Sequence, residues 1–492
     1  MLNSNQLISI GFRYVLDELE LLTPLGAELA RHPKYYAADE LCELKKEQDN
    51  IRELMRAVIE DTAGINALMR LLMPVKDIRR SIERCGVITL SEVELFEIKR
   101  FLLQLRLIAP AYKALGLALN DIEIESLDGA LDIIDPDGTR SPSFYVSDKN
   151  SKRLADIRAE RKKLDEKLRQ ASFDPTALKH HTAHTDSGAD SVDELLSRRT
   201  LLAAEEESEN ARLRGEISNA LAEYKTAMTD NINALGKLDY TLAKARLACS
   251  HNAVIPVVGS SDFCMSGMTN PCFAASLADK GRDFVPVSLR LTRGSTVITG
   301  ANMGGKSMAI KTLALNCMLA MCGFAVFALS AELPMMDDIY LLSEDREDAE
   351  AGLSSFGGEI KAFDKMLRET RSMAAPLVLL DEFARGTNPH EGAALVRAAA
   401  KLFNSRGSAY AVIATHFDGV AKLAASHYRV AGLSAASVET LLHELATDPG
   451  ALAKHMDYGL YPVSPDEDPP RDAVTICRAL GVSKEFEALI DV

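Results

Sequence analysis

Apolar positions step by three and four through the first quarter of the chain. Leu41, Leu44, Ile51, Leu54 and Val58 recur at helical spacing, as do Leu95, Ile98, Leu102 and Leu105, so residues 1–130 read as helical. Asp135-Pro-Asp-Gly138 is a turn signal. A helix with Leu154, Ile157, Leu164 and Leu168 on one face follows it. Residues 171–192 are polar, contain Asp174-Pro175 and Ser187-Gly188, and lose the periodicity, as a loop or hairpin tip does. Beyond them Leu213, Ile217, Leu221, Tyr224, Met228, Leu235, Leu238 and Leu242 form a stripe along one long helix. Two long helices meeting at a tip predict an antiparallel helical arm.

The texture changes near Val254. Short β-branched runs, Thr296–Thr299, Pro376–Leu380 and Ala411–Thr415, alternate with helical segments. That alternation predicts an α/β parallel sheet with helices on both faces. Leu313–Leu329 imitates a membrane span, with Asn316 its single clearly polar residue. Gly323 interrupts it, and a buried helix running into a buried strand accounts for it better than a bilayer. No membrane partner is expected.

Composition narrows the partners. At 492 residues the chain has room for two to four domains, and its net charge of −15 argues against a generally basic nucleic-acid coat. Lys152–Arg169 holds eight basic residues against four acids, whereas residues 151–250 hold 17 of each. That helix reads either as a phosphate-tracking surface or as a solvated face. The eight cysteines form no C-x-x-C pair, and Met1–Glu20 carries acids among its apolar residues, unlike a signal peptide. Reduced thiols in a cytoplasmic protein follow. His180-His181-x-x-His184 with Asp186 reads as a metal cluster or as part of a polar tip without a buried frame.

Chemistry concentrates after the change of texture. Gly300-Ala301-Asn302-Met303-Gly304-Gly305-Lys306-Ser307 fits G-x-x-x-x-G-K-[ST], between an apolar strand and a helical run. In such a loop successive backbone N–H groups face phosphate oxygens at a helix N-terminus. Lys306 would reach the β- and γ-phosphates of ATP and Ser307 would ligate Mg²⁺. Leu377-Val-Leu-Leu-Asp381-Glu382 delivers two carboxylates at a strand end. Asp381 would hold the Mg²⁺ shell, and Glu382 would orient or deprotonate the attacking water. Ala411-Val-Ile-Ala-Thr415-His416 ends in a histidine that could sense the γ-phosphate or be merely structural. Ser354-Ser355-Phe356-Gly357-Gly358-Glu359 reads either as an anion site or as a capping box with Ser355 as N-cap.

Together these pieces resemble the MutS family of DNA mismatch-repair ATPases. Thr299-Gly-Ala-Asn-Met-Gly-Gly-Lys-Ser307 is similar to the family's TGPNMGGKS, with Ala301 in place of proline. Asp381-Glu-Phe-Ala-Arg-Gly-Thr387 is similar to DE-x-G-R-G-T, and Glu391-Gly392 and Thr415-His416 follow at family-like spacing. Gly352-Leu-Ser-Ser-Phe356 resembles the family's G-x-S-T-F, whose serine reaches a partner's nucleotide across a dimer; Ser354 is the matching position. Lys311-Thr-Leu-Ala-Leu and Glu332-Leu-Pro334 lean toward the branch that does not read mismatches.

The resemblance implies an α/β P-loop NTPase domain, ABC-like with a mostly parallel sheet. An all-α core and lever domain with a long antiparallel helical arm precedes it. The expected bounds are 1–135 for the helical core and 136–250 for the lever helices, with a reduced tip at 171–192. Residues 251–492 would form the ATPase domain, ending in C-terminal dimerisation helices. The mismatch-reading and connector domains, the DNA clamp and a C-terminal nuclease domain are expected to be missing. The resemblance implies a dimeric switch, either a homodimer or a heterodimer with a MutS-like partner. Two clients stay open. One is DNA, in repair or recombination. The other is a protein, because the length, Thr387-Asn-Pro389 and Asp135-Pro-Asp-Gly138 followed by Phe144-Tyr145 resemble the ATPase that reactivates an adenosylcobalamin-dependent aminomutase.

Overall fold

In a computed structural model the described residues are 2–141, 143–173, 192–300, 305–343, 355–433, 456–464 and 484–487. Most of the expected tip, the histidine cluster with Asp186, Ala301, Asn302, Met303, Gly304, Ser354 and nearly all of the expected dimerisation helices lie outside them.

The chain forms two compact units. One comprises Met1–Glu20, His32–Ile59 and Thr241–Val492; the other comprises Leu21–Arg31 and Glu60–Tyr240. The linear bounds expected at 135 and 250 therefore do not follow the packing. The reason lies in long-range bonds to the N-terminal helices. Gln6 Nε2 donates to the Leu341 carbonyl at 2.6 Å, Asn270 Nδ2 to Ile10 at 2.9 Å, and the Tyr36 N–H to Met321 at 2.9 Å. These segments belong to the sheet-bearing unit although they read, locally, like the helices that follow them.

Helices dominate the first half: α1 (Ser4–Ser9), α2 (Phe12–Asp17), α3 (Pro24–Arg31), α4 (Leu41–Glu60), α5 (Thr62–Leu72), α6 (Arg79–Arg84), α7 (Glu92–Ala114) and α8 (Asp128–Ile134). The turn at 135–138 forms as expected, with the Gly138 N–H donating to the Asp135 carbonyl and Gly138 at φ +64°. Then come α9 (Lys152–Phe173), α10 (Val192–Ala220) and α11 (Lys225–Ser250). The single long helix expected through Leu213–Leu242 is two, divided by a 3₁₀ turn at Leu221–Tyr224. Pairings of Ser151 with Glu209, Arg158 with Glu206 and Arg199 with Asp165 run in opposite senses along α9 and α10, so these two helices are antiparallel. Ile157, Leu164, Leu195 and Leu202 zip them together.

The other unit carries two sheets. Strands β1 (Val257–Val258), β2 (Phe263–Met268), β3 (Val287–Leu291) and β5 (Ser330–Leu333) make a mixed four-stranded sheet in the order β1-β5-β2-β3. Strands β4 (Gly294–Thr299), β6 (Ile339–Leu342), β7 (Leu377–Asp381), β8 (Tyr410–Ala414), β9 (Ser426–Leu433) and β10 (Met456–Pro462) make the larger one, ordered β10-β9-β4-β8-β7-β6. Its pairs are parallel except β10 with β9. Every residue of β4, β7 and β8 is buried; β7 and β8 accordingly read as apolar runs, whereas β4 buries Ser295, Thr296 and Thr299 beside Val297 and Ile298.

The unit's other helices are α12 (Pro271–Ala278), α13 (Lys306–Met321), α14 (Ser355–Glu369) and α15 (Pro389–Arg406). Helix α13 packs against β7 and β8 of one sheet and β2 of the other, so it is apolar nearly all round. The expected buried strand does not follow it directly. The chain turns at Gly323 (φ +68°), makes one bridge between Val326 and Val254, and re-enters a sheet only at Ser330. No helix among the described residues is long and apolar enough to cross a membrane.

Candidate active site

Parallel pairing brings three chain reversals to one edge. In register, Ile298 faces Ala414 and Asp381 faces Ala414, so β4, β8 and β7 end side by side. Open α/β sheets bind ligands at this carboxyl edge. The residues just past these strand ends are Gly300, Glu382 and Thr415-His416.

Gly300 leaves β4 at φ +148°, and a Cβ there would lie 3.1 Å from Val430 Cβ on β9. Gly305 is the N-cap of α13 at φ +93° and, as glycine, offers no side chain to cap it. Lys306 is buried, donates to the Gly300 carbonyl at 2.8 Å, and stands 3.4 Å from Glu382 Oε1. Burial pushes its ammonium below the ordinary value, against the opposing charge of Glu382. Ser307 Oγ donates to Asp381 Oδ1 at 2.9 Å. Burial pushes the Asp381 carboxyl up, while the Ser307 hydrogen bond and the Lys311 charge pull it down. Four of the expected residues, Lys306, Ser307, Asp381 and Glu382, thus meet. The oxygen-only pair of Ser307 and Asp381 suits Mg²⁺, which keeps several waters and takes few protein ligands.

Glu382 occupies the left-handed region at φ +54°, and Ala384 does so at +62°. Each such residue without glycine costs about 1–2 kcal/mol. The Glu382 N–H donates to Ala414 at 3.1 Å, which fixes it to the end of β8. Arg385 Nη1 donates to Glu382 Oε2 at 3.1 Å, and His416 Nδ1 lies 4.0 Å from the same oxygen. At that distance no hydrogen bond forms. His416 Nδ1 is buried with no partner among the described residues, and its ring lies 4.5 Å from that of Phe417. A buried ring nitrogen left unpaired costs about 1–3 kcal/mol, so a ligand or water at this point is favoured.

Some contributors carry no sequence signal. Arg385 sits inside the motif Asp381–Thr387, but its hold on Glu382 is visible only in three dimensions. Thr299 Oγ1 bonds to the ring of buried His427, and a Cβ at Gly305 would sit 3.4 Å from the Tyr458 ring. Helix α14 begins at Ser355, and Glu359 Oε1 accepts the Ala384 N–H at 3.1 Å.

The chain is similar to known proteins over part of its length. The family model described as MutS domain V matches residues 296–460. Endonuclease MutS2 of Geobacillus sp. (strain WCH70) is 32% identical over 238 residues, 48% of this chain and 29% of that protein. Endonuclease MutS2 of Caldicellulosiruptor saccharolyticus is 32% identical over 233 residues, 47% of this chain and 28% of the relative. The protein of the same name from Thermotoga neapolitana is 31% identical over 237 residues, with shares of 48% and 30%. The chain spans less than a third of the length of these curated relatives.

Proposed function

Because the chain belongs to the MutS family through its domain V at residues 296–460, we propose that it is a Mg²⁺-dependent ATPase working as a dimeric conformational switch. The single observation that supports this best is the convergence of Lys306, Ser307, Asp381 and Glu382 at one strand edge. A triphosphate would take over the contacts that Lys306 makes with Gly300 and Glu382. Gly300–Ser307 would supply backbone N–H groups to its oxygens, Ala301, Asn302, Met303 and Gly304 by resemblance alone. Ser307 and Asp381 would hold Mg²⁺, which when bound neutralises charge on the phosphates. Glu382 would orient the attacking water and accept its proton, and His416 would meet the γ-phosphate side of the site. A second copy of the chain, or a MutS-like partner, would complete the site with Ser354.

The client is a separate question. Nothing in the comparisons supports the aminomutase, and four arginines of α9 and α10 are already paired with carboxylates. Arg158 and Arg161 both pair with Glu206, Arg198 with Glu160 and Arg199 with Asp165. One experiment addresses motor and client together. Phosphate release from ATP is measured with Mg²⁺ and with chelator, then with duplex and branched DNA, and separately with an adenosylcobalamin aminomutase. The expected result is turnover that chelator abolishes. Turnover insensitive to chelator, or none, would sink the ATPase reading. Salt-sensitive stimulation by DNA would decide the client against the aminomutase.

A further inference from the structure

The loop after β7 carries two strained residues in three positions, Glu382 and Ala384. Such backbone persists only where its surroundings over-determine it. Three contacts do so around Ala384. Its N–H donates to Glu359 Oε1 at 3.1 Å. Its carbonyl oxygen faces Gly392 of α15 so closely that a Cβ there would lie 2.7 Å away, which explains the glycine after Glu391. Between the strained pair, buried Phe383 stacks on Phe363 with ring centroids 4.5 Å apart and planes 28° from parallel. Glu359 and Phe363 are four residues apart on α14, so one helix face grips the loop twice.

The two grips differ in kind. Stacking of Phe363 on Phe383 holds the loop against the helix but leaves the peptide planes free to turn. The hydrogen bond from Ala384 to Glu359 fixes the direction of one peptide plane two residues from Glu382. We infer that Glu359 is a positioning residue for Glu382: by accepting the Ala384 N–H it keeps the loop left-handed, and the Glu382 carboxylate aimed between Lys306 and His416. The inference rests on the ATPase reading and adds to it a residue that acts through the backbone. It also gives α14 a task. The helix begins one residue after Ser354, so any shift of its start reaches the water-activating carboxylate through Glu359.

The test compares Glu359→Ala and Glu359→Leu, which cannot accept the proton, with Glu359→Gln, which keeps an oxygen there. The first two should lose kcat on the order of tenfold to a hundredfold, as a misplaced catalytic group does, with KM and nucleotide affinity little changed. Glu359→Gln should restore most of the rate. In a Glu382→Gln background Glu359→Ala should cost nothing further, because the two act as one unit. Amide hydrogen exchange gives an activity-free readout, with Ala384 protected in the wild type and in Glu359→Gln and exposed in Glu359→Ala. Full kcat in Glu359→Ala or Glu359→Leu, equal loss in Glu359→Gln, or unchanged protection of Ala384 would overturn the inference and leave the ATPase reading intact. A wild-type protein that neither binds nor hydrolyses ATP would overturn both.

Discussion

The candidate site and the α9–α10 helix pair are both built from opposed charges, yet their charges do opposite things. In the site Lys306 is 4% exposed and Asp381 7%, and burial shifts both away from their ordinary titration. They converge with Ser307 and Glu382 on one point. On the helix pair the ions of Arg198–Glu160 and Arg199–Asp165 stand in solvent, each satisfied by its neighbour. Charges buried against one another carry a desolvation cost. Charges paired at the surface carry almost none. The contrast supports the proposed site independently of any single motif.

The largest effects should follow from breaking the buried set. Lys306→Ala removes the cation that would meet the β- and γ-phosphates, so nucleotide binding measured by calorimetry should be lost. Glu382→Ala should keep binding and lose turnover by about 10²–10⁴-fold, the range for a general base. Normal hydrolysis in either variant would remove the site from its place in the comparison.

How much of this was legible before the structure depends on the range of each interaction. The strands β7 and β8 could be read because burial on both faces leaves an apolar run, and β4 because Thr296–Thr299 are all β-branched. The four-stranded sheet could not. Strand β1 has two residues, and β2 contains Gly267 and a register shift before Met268. Strand β3 alternates buried and exposed, but over five residues only. The break at Leu221–Tyr224 was hidden because a 3₁₀ turn steps by three, and Leu221 to Tyr224 is a step of three that the helical stripe already allows. Lys306, Ser307, Asp381 and Glu382 were legible through local spacing. The hold of Glu359 on Ala384 and the meeting of Thr299 with His427 join segments far apart in sequence, and no spacing records them.

A smaller effect tests whether the site carries the desolvation cost that its burial implies. Asp381 is raised above its ordinary 3.8. Between 3.8 and the raised value the folded protein keeps a proton that the unfolded chain has lost, so stability falls as pH rises through that window. Lys306 is lowered from 10.5, so the unfolded chain binds its proton more tightly. Stability rises with pH between the lowered value and 10.5, and the deficit is fully present below that window. Above the raised Asp381 value and below the lowered Lys306 value both deficits coexist. Asp381→Asn removes the first. Its thermal midpoint relative to wild type should therefore climb as pH rises above the ordinary 3.8. A pH-independent difference would mean that the carboxylate is not strained, and the comparison would lose its energetic basis.

The smallest effect should come from the helix pair. Arg199 and Asp165 meet at 2.8 Å with their side chains 55% and 37% exposed. Arg199→Ala should change stability by no more than about 1 kcal/mol, because solvent screens the pair and two flexible side chains are ordered to make it. Raising the salt to about 1 M should erase the difference between variant and wild type. Denaturant titration at low and high salt reads both quantities. A larger or salt-resistant loss would show that this pair is linked to something beyond its own helices, and that the surface charges of α9 and α10 are not the inert half of the comparison.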